Sequence, residues 1–223
     1  MPRMPRVAIG DTVYHVINRA NGRATIFHNE NDYQHFESLL KEGVELIGMR
    51  LLAYAIMPNH WHLVLYPKND GDMSEFMRWI TTTHVRQRRV KTKSVGSGHL
   101  YQGAYKSFPI EEDKHLTTVI RYVEQNALRA QLVKRAEVWQ WSSLFRRRRG
   151  NKEDQRLLAK LPTTLPSNYL QSVNTILNKD DLEEIHSTIK KSAPYGSEKW
   201  KKWMIEEHDM LSTQREPGRP RKT

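Results

Sequence analysis

His60 and His62 stand two residues apart in Met57-Pro58-Asn59-His60-Trp61-His62-Leu63-Val64-Leu65-Tyr66. On a strand this spacing puts both imidazoles on one face and Trp61 on the other. Neutral imidazole ligates divalent metals, so one strand offers two donors to a single ion. About sixty residues later Tyr122 and Asn126 stand four apart in a segment of helical pattern, one above the other on one face. Asn brings a neutral oxygen ligand and Tyr a phenol that attacks as its anion. The four residue types together suit metal-assisted attack by a tyrosine. Blander roles fit them as well: core imidazoles, an amphipathic core tyrosine, a surface amide. Spacing alone does not bring the helix to the strand.

The elements that must position these residues are legible as patterns. Thr12 to Asn18 reads as a strand rich in β-branched and aromatic residues, followed by a turn at Asn21-Gly22. Tyr33, Phe36, Leu39, Leu40 and Val44 have helical spacing, with Asn29 or Asn31 as N-cap. Residues 50–57 and 60–66 form two strands joined at Pro58-Asn59. Asp72 is read as the cap of a second helix running to about Arg89, and Lys91 to Gly98 as a loop. A short strand follows over 107–111. Asp113 then caps a third helix with Leu116, Val119, Ile120, Val123, Ala127 and Leu128 as its buried stripe. The first six elements are β-α-β-β-α-β, which predicts an α+β, ferredoxin-like antiparallel sheet with helices packed on one face and the other free for a ligand. The catalytic unit is assigned to residues 1–145, a basic linker to 146–166, a helical C-terminal region to 167–211 and a disordered basic tail to 212–223. Helices are expected near 168–178, 180–191 and 197–210, the last with Trp200, Trp203 and Met204 as an apolar face.

Charge narrows the partner. Lys plus Arg outnumber Asp plus Glu by 36 to 25, a formal net charge of +11. The excess is clustered at Arg86 to Lys93, Arg146 to Arg149 and Gly218 to Lys222, as expected for phosphate contacts on a nucleic acid. With no cysteine, disulfides, thiolate metal sites and a cysteine nucleophile are excluded. No apolar run approaches the roughly 20 residues of a membrane span. The N-terminus carries no apolar signal segment, so the expected location is cytoplasmic.

The segments Tyr54 to Leu63 and Arg121 to Ala130 resemble the signatures of single-tyrosine HUH transposases, and more closely those of the REP-associated tyrosine transposases of bacteria. Tyr14 to Arg19, Ile26-Phe27 and Trp141-Ser142-Ser143 extend the resemblance over about residues 10–145. Ala127 stands where such proteins often carry proline, a change that favours helix continuation.

The resemblance implies a nuclease-transposase that cuts and rejoins single-stranded DNA at palindromic hairpins, associated with the bacterial nucleoid. It makes His60 and His62 ligands of Mg²⁺ or Mn²⁺, Asn126 the third ligand with Gln125 as fallback, and Tyr122 the nucleophile forming a 5′-phosphotyrosine. Glu124 is not expected to act as base. Candidate DNA contacts are Arg19, Arg86, Arg88, Arg89, Lys106, Arg121, Arg129, Arg146, Arg147, Arg148 and Arg149; His15, Tyr101, Tyr105 and Trp139 are candidates for base stacking. Neither a membrane nor a protein partner is implied, and the long C-terminal region favours a monomer over a homodimer. Rival readings are a DNA-binding regulator without catalysis, a water-using phosphodiesterase, and an RNA-binding module with core histidines.

Overall fold

Four short runs of β-branched and aromatic residues pair into one sheet: β1 (Val13–Arg19), β2 (Arg50–Met57), β3 (His60–Tyr66) and β4 (Lys106–Ile110), in the order β2-β3-β1-β4. Every neighbouring pair is antiparallel, and the order is that of the ferredoxin-like arrangement. The computed structural model describes residues 7–96, 98–151 and 156–214. The β2–β3 turn is held from outside, because Pro58 O accepts from the N–H groups of Ile26 and Phe27 and Asn59 O from that of Ala20.

Helix α1 (Glu30–Ile47) starts at Asn29, whose side chain accepts from the Asp32 N–H, and ends at Gly48 in the left-handed region, φ 71°. Helix α2 (Asp72–Lys91) has Gly71, not Asp72, as N-cap. Asp72 lies in the first turn, where its carboxylate accepts from the Asn69 N–H at 2.8 Å. Both helices pack on the sheet face carrying Tyr14, Val16, Tyr54, Ile56, Trp61, Leu63 and Leu65.

The expectation of helices on one face only is corrected by the structure. Helix α3 (Lys114–Glu124) covers the second face, burying Leu116, Val119, Ile120 and Val123 against Val13, Ala55, Val64, Phe108 and Ile110. Strand β2 explains this. It is apolar on both faces and buried from Leu51 to Met57, so each face needs a cover. The third helix is also not continuous through Leu128. Gln125, at φ −86° and ψ 6°, separates α3 from α4 (Asn126–Arg129).

The chain beyond residue 140 closes both edges of this sheet. Along β2, Ile56 N–H donates to Trp141 O, Tyr54 N–H to Ser143 Oγ, and Ala159 N–H to Leu51 O. Along β4, Tyr195 N–H donates to Pro109 O and Glu111 N–H to Tyr195 O. Strand edges left with free donors invite pairing with other chains, and these contacts remove them.

The boundary placed at 145 and 146 falls inside helix α5 (Ser143–Arg149), capped by Ser142. Arg146 and Arg147 are core anchors rather than a basic linker. Arg146 pairs with Glu37 and donates to Tyr54 Oη, while Arg147 pairs with Glu124 and donates to Leu52 O. Glu124 also accepts from Tyr169 Oη at 2.7 Å and Ser143 Oγ at 2.5 Å. Removing one partner of a buried pair strands the other charge, so Arg147→Ala is expected to cost about 3–5 kcal/mol of stability. Urea unfolding checks this, and a loss below about 1 kcal/mol would contradict it.

Helices α6 (Tyr169–Asn174), α7 (Lys179–Lys191) and α8 (Glu198–Glu207) follow. Tyr169, Val173, Leu177, Ile185 and Tyr195 join the α3-side core. The first of these helices is shorter than expected, because Asn174 at its end is drawn to Glu137 and to the Ala136 N–H. On α8, Trp203 is 50% exposed and departs from the expected apolar face, whereas Met204 is buried. Of the expected disordered tail, 212–214 lie in a 3-10 turn (Leu211–Gln214). Gly218-Arg219-Pro220 lies outside the described residues.

His84 on α2 sets an acid limit on this fold. Its ring stacks on Phe27 at 5.5 Å, and Nδ1 accepts from Tyr101 Oη at 2.7 Å. Burial, with a smaller push from Arg88, lowers its pKa to about 3. The folded protein therefore holds it neutral, while the unfolded chain protonates near 6.5. Its contribution is fully present above pH 6.5 and is lost as pH falls toward 3. His84→Met is expected to lower stability at pH 7 yet flatten the loss between pH 6 and 4 by about 1 kcal/mol per pH unit. Denaturation midpoints of both proteins across that range read the difference.

Candidate active site

Strand β3 lies between β1 and β2, and its register places His62 opposite Ile17 and Ala55, and His60 opposite Arg19 and Met57. Both imidazoles project to the α3 face, with ring centroids 5.1 Å apart. Asn59 Oδ1 accepts from His60 Nδ1 at 2.6 Å. Nδ1 of His62 is bonded to His15 Nε2 at 2.8 Å.

Both rings are held neutral. Burial first, then Arg19 and Arg129, lowers His60 to about 4, against an opposing hydrogen bond with Asn126. Burial, then His15, His60, Arg129 and Arg19, holds His62 well below the usual imidazole range. Neutral imidazole is the form that binds metal. Asn126 is buried, reaches His60, and has an amide nitrogen without a hydrogen-bond partner. Two neutral imidazoles and an amide oxygen are a donor set that would suit a divalent ion.

Tyr122, carried by α3, is 4% exposed. Its ring meets His62 edge-on at 5.7 Å, His15 at 6.1 Å and, from α7, His186 at 5.9 Å. The Arg129 guanidinium lies 4.1 Å above the ring centre. Tyr122 also lines a cleft of about 570 Å³ together with Arg19, Gln102, Lys106, His186 and Lys190. Tyr122 and His62 are thus in ring contact within a single chain, His62 lying behind Tyr122 at 1% exposure, while His60 adjoins His62 and neither imidazole lines the cleft.

The basic candidates divide. Arg19 and Lys106 line the cleft, and Arg129 covers Tyr122. Arg86 lines a neighbouring groove of about 960 Å³ that shares Asn18, Gln102, Gly103 and Ala104 with the cleft. Arg121 donates to Thr175 O at 2.6 Å. Arg88 faces Asp32 across a separate cavity, and Arg89 donates to the carbonyls of Ser94 and Gly98. Like Arg146 and Arg147, these last two are engaged by partners within the fold. Arg148 and Arg149 are exposed at the end of α5.

Gln125 Oε1 is turned toward the C-terminal region, where it accepts from Leu177 N–H at 3.2 Å. Glu124, buried among Arg147, Ser143 and Tyr169, stays out of the site as expected. Tyr101 is spent on Trp61 and His84, and Trp139 Nε1 on Ile56 O, so neither offers its polar edge to a base. His186 and Lys190 were not among the expected site residues; nothing in a solvated α7 pattern marks them. A second group, Glu111, Asp113 and His115, brings three donor atoms within 4.8 Å of one another. Its donors are already used: Asp113 caps α3 and Glu111 accepts from Ser197 N–H.

The chain thus combines a ferredoxin-like sheet with a buried tyrosine whose ring meets His62, which His60 adjoins. The family model described as "Transposase IS200 like" matches residues 8–126, and the chain belongs to that transposase family. The structure of a REP-associated tyrosine transposase bound to a REP hairpin aligns with a TM-score of 0.54 at 20% identity, covering 74% of this chain and 95% of that one. A proposed transposase from Deinococcus radiodurans R1 aligns with a TM-score of 0.38 at 17% identity, covering 59% and 92%. No curated protein matches the chain. Among the described residues no helix is long and apolar enough to cross a membrane.

Proposed function

We propose that this protein cleaves and rejoins single-stranded DNA at hairpin-forming repeats through a covalent bond to Tyr122. The observation that carries the reading is the contact of Tyr122 with His62 beside a basic cleft. Tyr122 Oη attacks the scissile phosphorus; a Tyr–O–P bond forms and the P–O3′ bond breaks. The phenolic proton is given up and the departing O3′ ends as a hydroxyl. A second 3′-hydroxyl reverses the exchange and restores a phosphodiester without ATP.

His60, His62 and Asn126 would hold Mg²⁺ or Mn²⁺, and the imidazole donors favour Mn²⁺. When bound, such an ion supplies Lewis-acid polarisation of the phosphate. Arg129 lies over the Tyr122 ring, and Arg19 and Lys106 bind phosphate in the cleft. The hairpin as substrate rests on the structural neighbour, which was bound to one. Tyr122 meets His62 of its own chain, in keeping with action in cis; the proposed form is a monomer and the proposed location the bacterial cytoplasm at the nucleoid.

The test is a 3′-labelled hairpin strand incubated with the protein and Mn²⁺, then denatured. The label is expected to stay with the protein as a covalent adduct. Product strands without adduct would support a water-using phosphodiesterase. The burial of Tyr122 beneath His186 favours a second reading, a hairpin-binding regulator, for which tight binding would leave the DNA uncut.

A further inference from the structure

We propose that His15 is a positioning residue for the metal centre, holding His62 in the tautomer that leaves Nε2 free to bind the ion. The proposal rests on the metal-centre reading above. His15 lies on β1, and its ring fills the space between His62, Phe108 and the edge of Tyr122. It is fully buried, as is nearly all of His62, and the two rings share a single 2.8 Å hydrogen bond between Nε2 of His15 and Nδ1 of His62.

A neutral imidazole carries one N–H, so only two arrangements satisfy that bond. In one, His15 donates, the proton of His62 sits on Nε2, and the ring cannot ligate. In the other, His62 donates from Nδ1 and keeps the Nε2 lone pair. Ion binding selects the second and places the proton of His15 on Nδ1. That nitrogen is buried and has no hydrogen-bond partner among the described residues. A purely structural ring would be expected to satisfy it, or to be replaced by a hydrocarbon of similar shape. The unsatisfied nitrogen points to a ring retained for the acceptor it offers His62. His60 has a parallel partner in Asn59, whose Oδ1 accepts from its Nδ1.

Mn²⁺ affinity, measured by titration calorimetry on the full chain, tests the role without reference to activity. His15→Phe keeps an aromatic ring in the space and deletes the acceptor; it is expected to weaken Mn²⁺ binding by about 10–100-fold. His15→Gln places a carbonyl oxygen near the Nε2 position and is expected to restore most of the affinity. Nitrogen-15 NMR of the Mg²⁺-loaded wild type is expected to give His62 protonated at Nδ1. Wild-type affinity in His15→Phe, or a His62 proton on Nε2 in the loaded protein, would overturn the role while leaving the metal centre standing. A wild-type chain that does not bind Mn²⁺ at all would overturn the centre and this role with it. If His15→Phe fails to fold, the tautomer measurement on the wild type decides alone.

Discussion

Tyr122→Phe is expected to abolish the covalent DNA adduct and to reduce strand cleavage by about 10⁴-fold or more, while hairpin binding stays within a few-fold of wild type. The substitution removes one oxygen and keeps the ring. The ring is what packs against His62, His15 and His186 and lies beneath Arg129. The cleft and its basic side chains are therefore preserved, and a loss of cleavage without loss of binding isolates the nucleophile. A gel of 3′-labelled hairpin products, alongside a binding titration, reads both quantities. Cleavage surviving in Tyr122→Phe would transfer the chemistry to water and end the phosphotyrosine reading. Equal loss of binding would mean that the hydroxyl is a DNA contact.

The second large effect is expected from the histidine pair. His60→Ala and His62→Ala each remove a proposed ligand, and each is expected to lower Mn²⁺ affinity by more than about 100-fold, beyond the range typical for groups that only support a ligand. Adduct formation is expected to fall with it, and chelator is expected to reproduce the loss in the wild type. Glu111→Gln is the internal control. Glu111 belongs to the other cluster of donor atoms, but its carboxylate is engaged by Ser197. If the ion sits at the pair, Glu111→Gln leaves Mn²⁺ affinity unchanged. If affinity instead falls in Glu111→Gln and survives in His62→Ala, the ion belongs at the start of α3 and the assignment of the pair is wrong.

Local patterns carried far along this chain. The caps at Asn29 and Asp113 and the β2–β3 hairpin follow from residue type and spacing, because each depends on contacts within a few residues. The misreadings are equally physical. Gly71 rather than Asp72 caps α2, since a left-handed glycine starts the helix and frees the carboxylate for Asn69. A run of four arginines looks alike on a surface and in a core. Only the buried carboxylates of Glu37 and Glu124, 109 and 23 residues away from their partners, decide that Arg146 and Arg147 are anchors. His186 comes from a helix whose sequence gives no sign of the active site.

Residue chemistry by itself determined the candidates, two imidazoles on one strand face and a tyrosine and an asparagine on one helical face, together with a basic balance suited to nucleic acid. Those are periodic or compositional properties and need no fold. Only the tertiary structure decided that α3 crosses the second sheet face rather than joining α1 and α2, which sets Tyr122 against His62. The reason is burial. A sheet apolar on both sides must be covered on both, and the helix that covers the second face carries the tyrosine to the histidines.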